Sequence, residues 1–374
     1  MNQQPYNPNP HQPNSCPPYQ PYPQQPYPYQ GYYQPPQYIP PNMDPQYLQQ
    51  MAHQAEVKRM RGKQRSGIIG LGFLLGATII AYLIIQTVFV LILQGSSYYQ
   101  TYLTSSTFQS CFNIVAVHMT SMLIPFTVMA LILKKNWVGP LVPLEKVGKF
   151  KTCAWVALGM GCCMVANMLT NLLVEVCKKG GYELTQPEIL DIDSPLACVA
   201  LIVSTAVVPA IFEEYGFRCC ALGIMRKYGN AFAVIATSVM FGLVHGNVIQ
   251  FVFAFMLGLV FGYITIKTNS VLPAMLIHGL NNGISVVQDI LKYTSGGKVS
   301  ETVVSVIMYT WMALAVAALV YFIYKKEFKR TVPKQPKEEY ELSLGAKLAC
   351  LLPGLAIPFG ILIFLTSQYV TKIK

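Results

Sequence analysis

The 374-residue sequence has little charge: only 11% of its residues are Asp, Glu, Lys or Arg, whereas 53% are apolar. A soluble domain usually carries roughly a quarter charged residues. No charged residue occurs from position 66 to position 133, a stretch too long for one buried element of a soluble protein. The composition therefore excludes a soluble globular protein and indicates a polytopic membrane protein.

Gaps between charged residues locate the membrane spans, because a spanning helix needs about 20 apolar residues. We expect an all-α bundle of about eight or nine transmembrane helices. The nine candidate spans lie at residues 68–93, 108–133, 151–175, 195–213, two within 228–266, 267–289, 301–325 and 347–372.

The basic residues are distributed unevenly between the two sides of this arrangement. With the N-terminus inside, 21 of the 27 Lys and Arg residues, Arg218 among them, lie on the inner side. Cytoplasmic loops hold the positive excess, so we expect a multi-pass cell-membrane protein with a cytoplasmic N-terminus. The net charge of +11 then indicates affinity for membrane lipids with anionic headgroups. Nucleic acid is not an expected partner, since no motif supports it.

The N-terminal segment differs from the rest of the chain in composition. The first 50 residues hold 15 of the 26 prolines and 9 of the 23 tyrosines, and such a segment cannot pack a core. We expect residues 1–57 to form a disordered Pro/Tyr/Gln-rich cytoplasmic tail. A solvated spacer is the favoured interpretation, and docking to an aromatic-lined cytoplasmic partner is the alternative.

Ionisable residues inside spans are costly and therefore point to function. In a helix, Glu214 and Arg218 are i and i+4 on one stripe, in the better orientation for an ion pair. Glu213 lies on another face, where it is free for a role such as general base. Pro209 removes a backbone donor four residues earlier and should loosen the helix there.

Two further pairs have the i, i+4 spacing of a common helix face: Phe241 with His245, and His278 with Asn282. The imidazole and amide of the second pair can donate to a single oxygen, as in an oxyanion hole. Asn281, at i+3 from the histidine, is an alternative donor. We expect Phe241 to serve in packing.

Taken together, the motifs are Glu-Glu-x-x-x-Arg at 213–218, Phe-x-x-x-His at 241–245 and His-x-x-x-Asn at 278–282. In this order, on successive hydrophobic segments, they resemble the CPBP family of intramembrane proteases, the CAAX protease and bacteriocin-processing (Abi) group. The resemblance covers about residues 196–290. It predicts a catalytic membrane core there, between N-terminal transmembrane helices at 58–195 and C-terminal ones at 291–374.

The resemblance implies an intramembrane endopeptidase in which Glu213 is the general base and His245 helps to hold the attacking water. His278 and Asn282 would stabilise the tetrahedral oxyanion. Glu214 and Arg218 would be structural. The implied substrates are membrane proteins or membrane-associated or lipidated peptides, such as prenylated C-terminal peptides, bacteriocin-like leader peptides or membrane-anchored regulators.

Members of this family have also been described as metalloproteases. The favoured interpretation needs no cofactor; in the alternative, Glu213, His245 and His278 hold a divalent metal such as zinc. The sequence lacks the His-Glu-x-x-His signature of zinc proteases. Its ten cysteines form no Cys-x-x-Cys pair, so a soft-metal site is not expected from them.

Other interpretations of these polar residues stay open at this point. A secondary transporter would use Glu213 and the two histidines as a proton relay, although no inverted repeat is evident. A non-catalytic immunity or binding protein would keep the fold without turnover. His118, in the second span, has no recognisable partner in the sequence, and we expect it to be a packed, hydrogen-bonded histidine.

Overall fold

The structure, a computed structural model, describes residues 44–133, 142–185, 192, 194–294, 301–329 and 339–373. The chain divides into two compact units, Met1–His53 and Gln54–Lys374. Among the described residues, the first unit contains only the start of the first helix. The expected disorder of residues 1–43 lies outside the described residues.

The described residues are almost entirely helical. The α-helices are α1 (Pro45–Gln94), α2 (Tyr99–Thr104), α3 (Ser106–Asn113), α4 (Leu123–Ile132), α5 (Lys149–Lys179), α6 (Pro195–Ile202), α7 (Val208–Glu214), α8 (Gly223–Met225), α9 (Asn230–Leu243), α10 (Val248–Thr268), α11 (Leu272–Thr294), α12 (Glu301–Tyr324) and α13 (Leu344–Ser367). Three π-helical segments join α3 to α4, α6 to α7 and α7 to α8: Ile114–Met122, Val203–Val207 and Tyr215–Leu222. Two short strands, β1 (Tyr182–Leu184) and β2 (Val370–Lys372), pair antiparallel.

The expected all-α membrane bundle is confirmed. Within the described part of the chain, 7 helical segments are long and apolar enough to cross a membrane. Of the nine predicted spans, α9 is too short at 14 residues, and α11 is not among the seven. Polar residues of the expected site, His278 and Asn282 among them, make α11 less apolar. The polar residues of the site therefore explain why α11 is not among the seven, whereas α9 is excluded by its length. The protein is a multi-pass membrane protein.

The first helix begins earlier than the predicted end of the tail. Helix α1 starts at Pro45, so the assignment of residues 45–57 to a disordered segment is wrong. Proline is well suited to the first turn of a helix. The residues that follow are rich in Gln, Ala, Glu, Lys and Arg, which favour helix over coil.

The fourth predicted span does not end at Glu213. Its helix runs on through the π-helical segments to Tyr228, within Pro195–Tyr228. Glu213 and Glu214 therefore lie near the middle of this helix. Arg218 is buried in the bundle, so it does not belong among the inner loop residues with which it was counted.

Polar contacts near the helix ends show which ends lie on the same face of the Gln54–Lys374 unit, and they define two faces. We call one the basic face; its contacts join Arg61 to Glu339, Glu145 to Asn269, Lys151 to Glu327, and Lys347 to Tyr228. The opposite face carries the β1–β2 pair and the Thr107–Ser194 hydroxyl contact. This sorting agrees with the alternation of spans expected from the sequence.

Two apolar clusters form the core of the bundle. One combines residues of α1, α4, α9 and α13 with the Tyr215–Leu222 segment. The other, around Trp155, Phe261 and Phe322, combines α5, α10, α11 and α12. Phe241 belongs to the first cluster and Phe261 to the second, and both contact Arg218. The polar residues of the predicted site therefore lie where the two clusters meet.

Glycines allow α1 and α13 to approach backbone to backbone. A Cβ atom on Gly354 would overlap the backbone of Gly72 and Phe73, and one on Gly76 would overlap the carbonyl of Gly354. Small residues commonly permit such close helix contacts in membranes.

We predict that Gly354→Ala lowers the free energy of unfolding by about 1–3 kcal/mol, the usual cost of overpacking. Gly360→Ala on the same helix is the control, because a Cβ there meets no neighbour. Reversible unfolding in mixed micelles would measure both variants. Equal stability of the two would contradict the close contact of α1 with α13.

Candidate active site

A buried carboxylate connects two of the predicted motifs. The side chain of Glu214 is 0% exposed, and its Oε1 lies 3.0 Å from Nη1 of Arg218, so the structure forms the ion pair expected from their spacing. The same Oε1 lies 2.9 Å from Nδ1 of His278. A carboxylate can only accept, so Nδ1 of the imidazole donates when Glu214 is ionised. His278 is thereby oriented by Glu214, with its Nε2 3.9 Å from Oε2 of Glu213.

Two aromatic rings enclose the arginine of this ion pair. The guanidinium carbon of Arg218 lies 4.2 Å from the ring centre of Phe241 and 5.1 Å from that of Phe261. Cation–π attraction is strongest where water is excluded. Phe241 is buried, as its expected packing role requires, but it packs on the site: its ring contacts His245 at 5.1 Å and His278 at 6.0 Å.

The Phe-x-x-x-His motif closes on itself at the end of α9. Nδ1 of His245 lies 2.7 Å from the carbonyl oxygen of Phe241. A carbonyl cannot donate, so the Nδ1–H of the imidazole donates to it and Nε2 is left for other partners. Helix α9 ends just before His245, and Gly246 (φ +70°) turns the chain into α10.

Pro209 leaves the carbonyl of Thr205 available as an acceptor for Asn282 of the third motif. Proline has no N–H to donate to the carbonyl four residues earlier, which is that of Thr205. Nδ2 of Asn282 lies 3.0 Å from this carbonyl oxygen and donates to it. The π-helical segment Val203–Val207 precedes Pro209, in keeping with the expected loosening. The carbonyl of Thr205, which Pro209 leaves without its helical donor, therefore binds the side chain of Asn282 on another helix.

These residues surround a cavity of about 560 Å³. Its lining includes Glu213, His245, His278, Asn281 and Asn282. The lining also contains amide side chains away from the motifs: Asn113, Asn167, Asn171 and Gln250. Nearly all of the lining residues lie in the half of the bundle that is nearer the opposite face. Asn167 and Asn171 are exposed, so the cavity reaches the molecular surface beside α5.

Comparison with known families bears on this segment directly. Residues 195–284, about a quarter of the chain, match the family described as "Rce1-like: Type II CAAX prenyl endopeptidase Rce1-like". This segment is therefore similar to the Rce1-like CAAX-protease family. No curated protein and no solved structure gave a match to the chain.

The Rce1-like segment agrees closely with the catalytic core expected at 196–290. It contains all three motifs, which the helices Pro195–Tyr228, α9 and α11 bring to one cavity. The match supports a membrane protease of the CAAX-protease type.

The Rce1-like site also contains a residue that sequence reasoning assigned elsewhere. His118, expected to be a packed, hydrogen-bonded histidine, lines the cavity with its Nδ1 3.8 Å from Oε1 of Glu213. Its Nδ1 is buried and has no hydrogen-bond partner among the described residues. The expected hydrogen bond of Nδ1 is therefore not made within the described residues, and His118 lines the site. The sequence showed no partner for His118 because the carboxylate nearest to it, that of Glu213, belongs to a different helix.

The two asparagines of the Rce1-like motif interact with each other. Nδ2 of Asn281 lies 3.3 Å from Oδ1 of Asn282, whose own Nδ2 is turned to the Thr205 carbonyl. Nδ2 of an amide carries two N–H groups, so one donor of Asn282 remains for a ligand. Both asparagines line the cavity, and the geometry leaves Asn281 as an alternative donor.

The residues named for a metal site do not fit one in this arrangement. Across the described ranges, no group of three or more His, Cys, Asp or Glu side chains is placed to hold a metal ion. The Nδ1 atoms of His245 and His278 are engaged by Phe241 and Glu214, and the remaining Nε2 atoms do not form a ligand set together with Glu213. We therefore derive no step through a metal at Glu213, His245 and His278.

We predict that Arg218→Met lowers the free energy of unfolding by about 3–5 kcal/mol, because it removes the arginine that pairs with the buried Glu214 carboxylate. Arg59→Ala is the control: it breaks an exposed pair with Glu56 and should cost no more than about 1 kcal/mol. Reversible unfolding in mixed micelles measures both. Similar costs for the two variants would show that the buried pair does not stabilise the bundle.

Proposed function

We propose that the protein is an intramembrane endopeptidase that hydrolyses peptide bonds of membrane-associated or lipidated peptides by a metal-free glutamate mechanism. One observation carries the proposal: Glu213 faces an imidazole that Glu214 and Arg218 hold in place, within a cavity that reaches the surface. The Rce1-like match supports the same conclusion.

In the proposed reaction Glu213 takes a proton from water, while the water oxygen forms a bond to the scissile carbonyl carbon. The electron pair of the carbonyl double bond moves to its oxygen. His278, through Nε2, and Asn282, through its second N–H, stabilise this oxyanion. When the carbonyl re-forms, the C–N bond breaks, and Glu213 returns the proton to the leaving amine.

His245 is proposed to hold the attacking water through Nε2. Its Nδ1–H is committed to the Phe241 carbonyl, so the neutral ring presents an unprotonated Nε2, which accepts a hydrogen bond. Such an acceptor orients the water so that its other proton faces Glu213.

Charge balance gives His278 its part in the reaction. The row Arg218, Glu214, His278, Glu213 alternates in sign and sums to zero when His278 is protonated on both nitrogens. Each neighbouring pair is within 4 Å: 3.0 Å, 2.9 Å and 3.9 Å. Opposite charges at such distances offset the cost of removing each group from water. A doubly protonated His278 is also a donor at Nε2, as oxyanion stabilisation requires.

The cavity indicates how a substrate is held. A volume of about 560 Å³ lies in the range of small-ligand sites, which suits a short stretch of peptide. Asparagine and glutamine amides carry both donors and acceptors and can therefore pair with a peptide backbone of any sequence. We propose that the backbone of the substrate runs along Asn113, Asn167, Asn171 and Gln250 to Glu213.

Orientation in the cell membrane follows from the basic face, which we propose to be cytoplasmic together with the N-terminus. The cavity then lies in the non-cytoplasmic half of the bundle. Anionic lipids would contact the basic face. A cytoplasmic partner for the Pro/Tyr/Gln-rich tail stays a prediction.

We predict that wild-type protein in lipid nanodiscs cleaves members of a diverse peptide library that includes lipidated peptides, and that Glu213→Gln does not. The amide keeps the shape of the side chain but cannot accept the proton of water. Mass spectrometry of the products identifies the cut sites and so the substrate class. We expect wild-type cleavage to persist after treatment with a metal chelator.

Cleavage by both proteins would show that Glu213 is not the base. Loss of wild-type activity on chelation, with recovery on adding zinc, would favour the metalloprotease alternative. Absence of cleavage by either protein would favour the transporter or the non-catalytic alternative.

We predict that Asn282→Ala lowers kcat by about 10²–10³-fold, the usual effect of removing one oxyanion donor. Asn281→Ala is the matched variant, since it removes an adjacent amide that lines the same cavity. Steady-state kinetics on a cleaved peptide should show a smaller loss for it. A larger loss for Asn281→Ala would exchange the roles of the two residues.

A further inference from the structure

His118 owes its position to an irregular helix. It lies in the π-helical segment Ile114–Met122, and both it and Asn113, five residues earlier, line the cavity. In an α-helix residues i and i+5 point in clearly different directions, whereas in a π-helix the hydrogen bonds run from i to i+5. The Ser121 hydroxyl donates to the Ala116 carbonyl at that same separation. The segment therefore turns the imidazole towards the other site residues.

Each oxygen of Glu213 faces a different imidazole. Oε1 lies 3.8 Å from Nδ1 of His118, and Oε2 lies 3.9 Å from Nε2 of His278. The His118 side chain is 12% exposed and that of Glu213 15% exposed. Within the described residues, Nδ1 of His118 and Oε2 of Glu213 are buried without a hydrogen-bond partner. The unpartnered Oε2 is the oxygen beside His278, and Oε1 is the oxygen nearest the unpartnered Nδ1 of His118. A buried imidazole nitrogen without a partner is costly, and the carboxylate of Glu213 is an acceptor of complementary chemistry beside it.

We propose that His118 is a positioning residue for Glu213: its Nδ1–H binds Oε1 and leaves Oε2, beside His278, as the oxygen that takes the proton from water. This inference rests on the proposed function. The 3.8 Å separation exceeds a hydrogen bond of 2.7–3.2 Å. Hydrogen bonds at catalytic groups are often long in the free enzyme and shorten when substrate binds.

The reason for such a residue is the flexibility of glutamate. Its carboxylate turns about several bonds, and His278 contacts only one of the two oxygens. A misplacement of about 1 Å at a reacting group can cost on the order of 10²-fold in rate. A second imidazole on the other oxygen restricts this movement. In this proposal His118 acts on the substrate only through Glu213, to which its Nδ1 is turned.

The kinetic test uses full-length protein in nanodiscs and a peptide that wild type cleaves. His118→Phe keeps a ring of similar size but has no N–H, and His118→Gln keeps a donor. We expect kcat to fall by roughly 10- to 100-fold in His118→Phe with KM within about twofold of wild type, and to recover in part in His118→Gln. Met119→Ala is the matched control, since Met119 is the next residue and is 44% exposed; its kcat should equal that of wild type.

Chemical rescue adds a readout that a structural role would not move. In His118→Ala, added imidazole should raise kcat at least severalfold by occupying the space of the missing ring. It should not change kcat in Glu213→Gln, which lacks the group that His118 positions.

A thermal cycle keeps this inference separable from the proposed function, because it needs no activity. We expect His118→Phe to lower the unfolding temperature of wild type but to change that of Glu213→Gln by less than half as much, since the two side chains interact. Equal shifts in both backgrounds, or a kcat for His118→Phe within twofold of Met119→Ala, would overturn the role of His118. Equal cleavage by wild type and Glu213→Gln would instead overturn the proposed function, while the thermal cycle would still report on the contact.

Discussion

The hydrogen bond and ion pair that Glu214 makes at once to His278 and Arg218 constrain the rest of the structure. A charge inside a membrane bundle is costly unless another charge and good hydrogen bonds accompany it. Here one carboxylate oxygen serves an arginine on its own helix and a histidine on α11. The arginine is enclosed by rings from α9 and α10. Four helices are therefore fixed relative to one another by a single group.

Departures from regular helix geometry position the site residues that the Glu214 network does not contact. Pro209 leaves the Thr205 carbonyl without its usual donor, and Asn282 fills that position. The segment Ile114–Met122 brings His118 to the cavity by its π-helical phase. Backbone irregularity inside a membrane is tolerated where side chains or a cavity satisfy the polar groups. In this bundle each irregular segment lies beside a polar residue of the site.

Several of these features were predictable from the sequence because they depend on local spacing. The Glu214–Arg218 pair follows from an i, i+4 separation, and the sorting of helix ends onto two faces follows from the distribution of Lys and Arg. The three motifs identified the segment that the Rce1-like family matches. Each of these features depends on residue spacing within one helix or on the charge at the ends of a span, and both can be read from the sequence.

Other features depend on packing between distant segments and could not be predicted. The bond between Glu214 and His278 joins residues 64 positions apart. We marked the ends of the spans by charged residues, which assumes that ionisable residues lie outside the membrane. This assumption placed Glu213 at the end of its helix. It fails at a functional site, where ionisable residues lie inside the membrane. His118 was misassigned because Glu213, the carboxylate nearest to it, belongs to a different helix and the sequence alone shows no partner. The helix from Pro45 was missed because a tail rich in proline was extended too far along the chain.

The central claim is that Glu213 activates a water molecule and does not itself attack the substrate. The most direct measurement is a single turnover of wild-type protein in nanodiscs in water enriched in oxygen-18, with mass spectrometry of the newly formed carboxylate. We predict that the first product carries one oxygen-18 atom, because its new oxygen comes from solvent. A first product without the label would mean that its oxygen came from the protein, as in nucleophilic attack by a carboxylate, and would contradict the proposed mechanism.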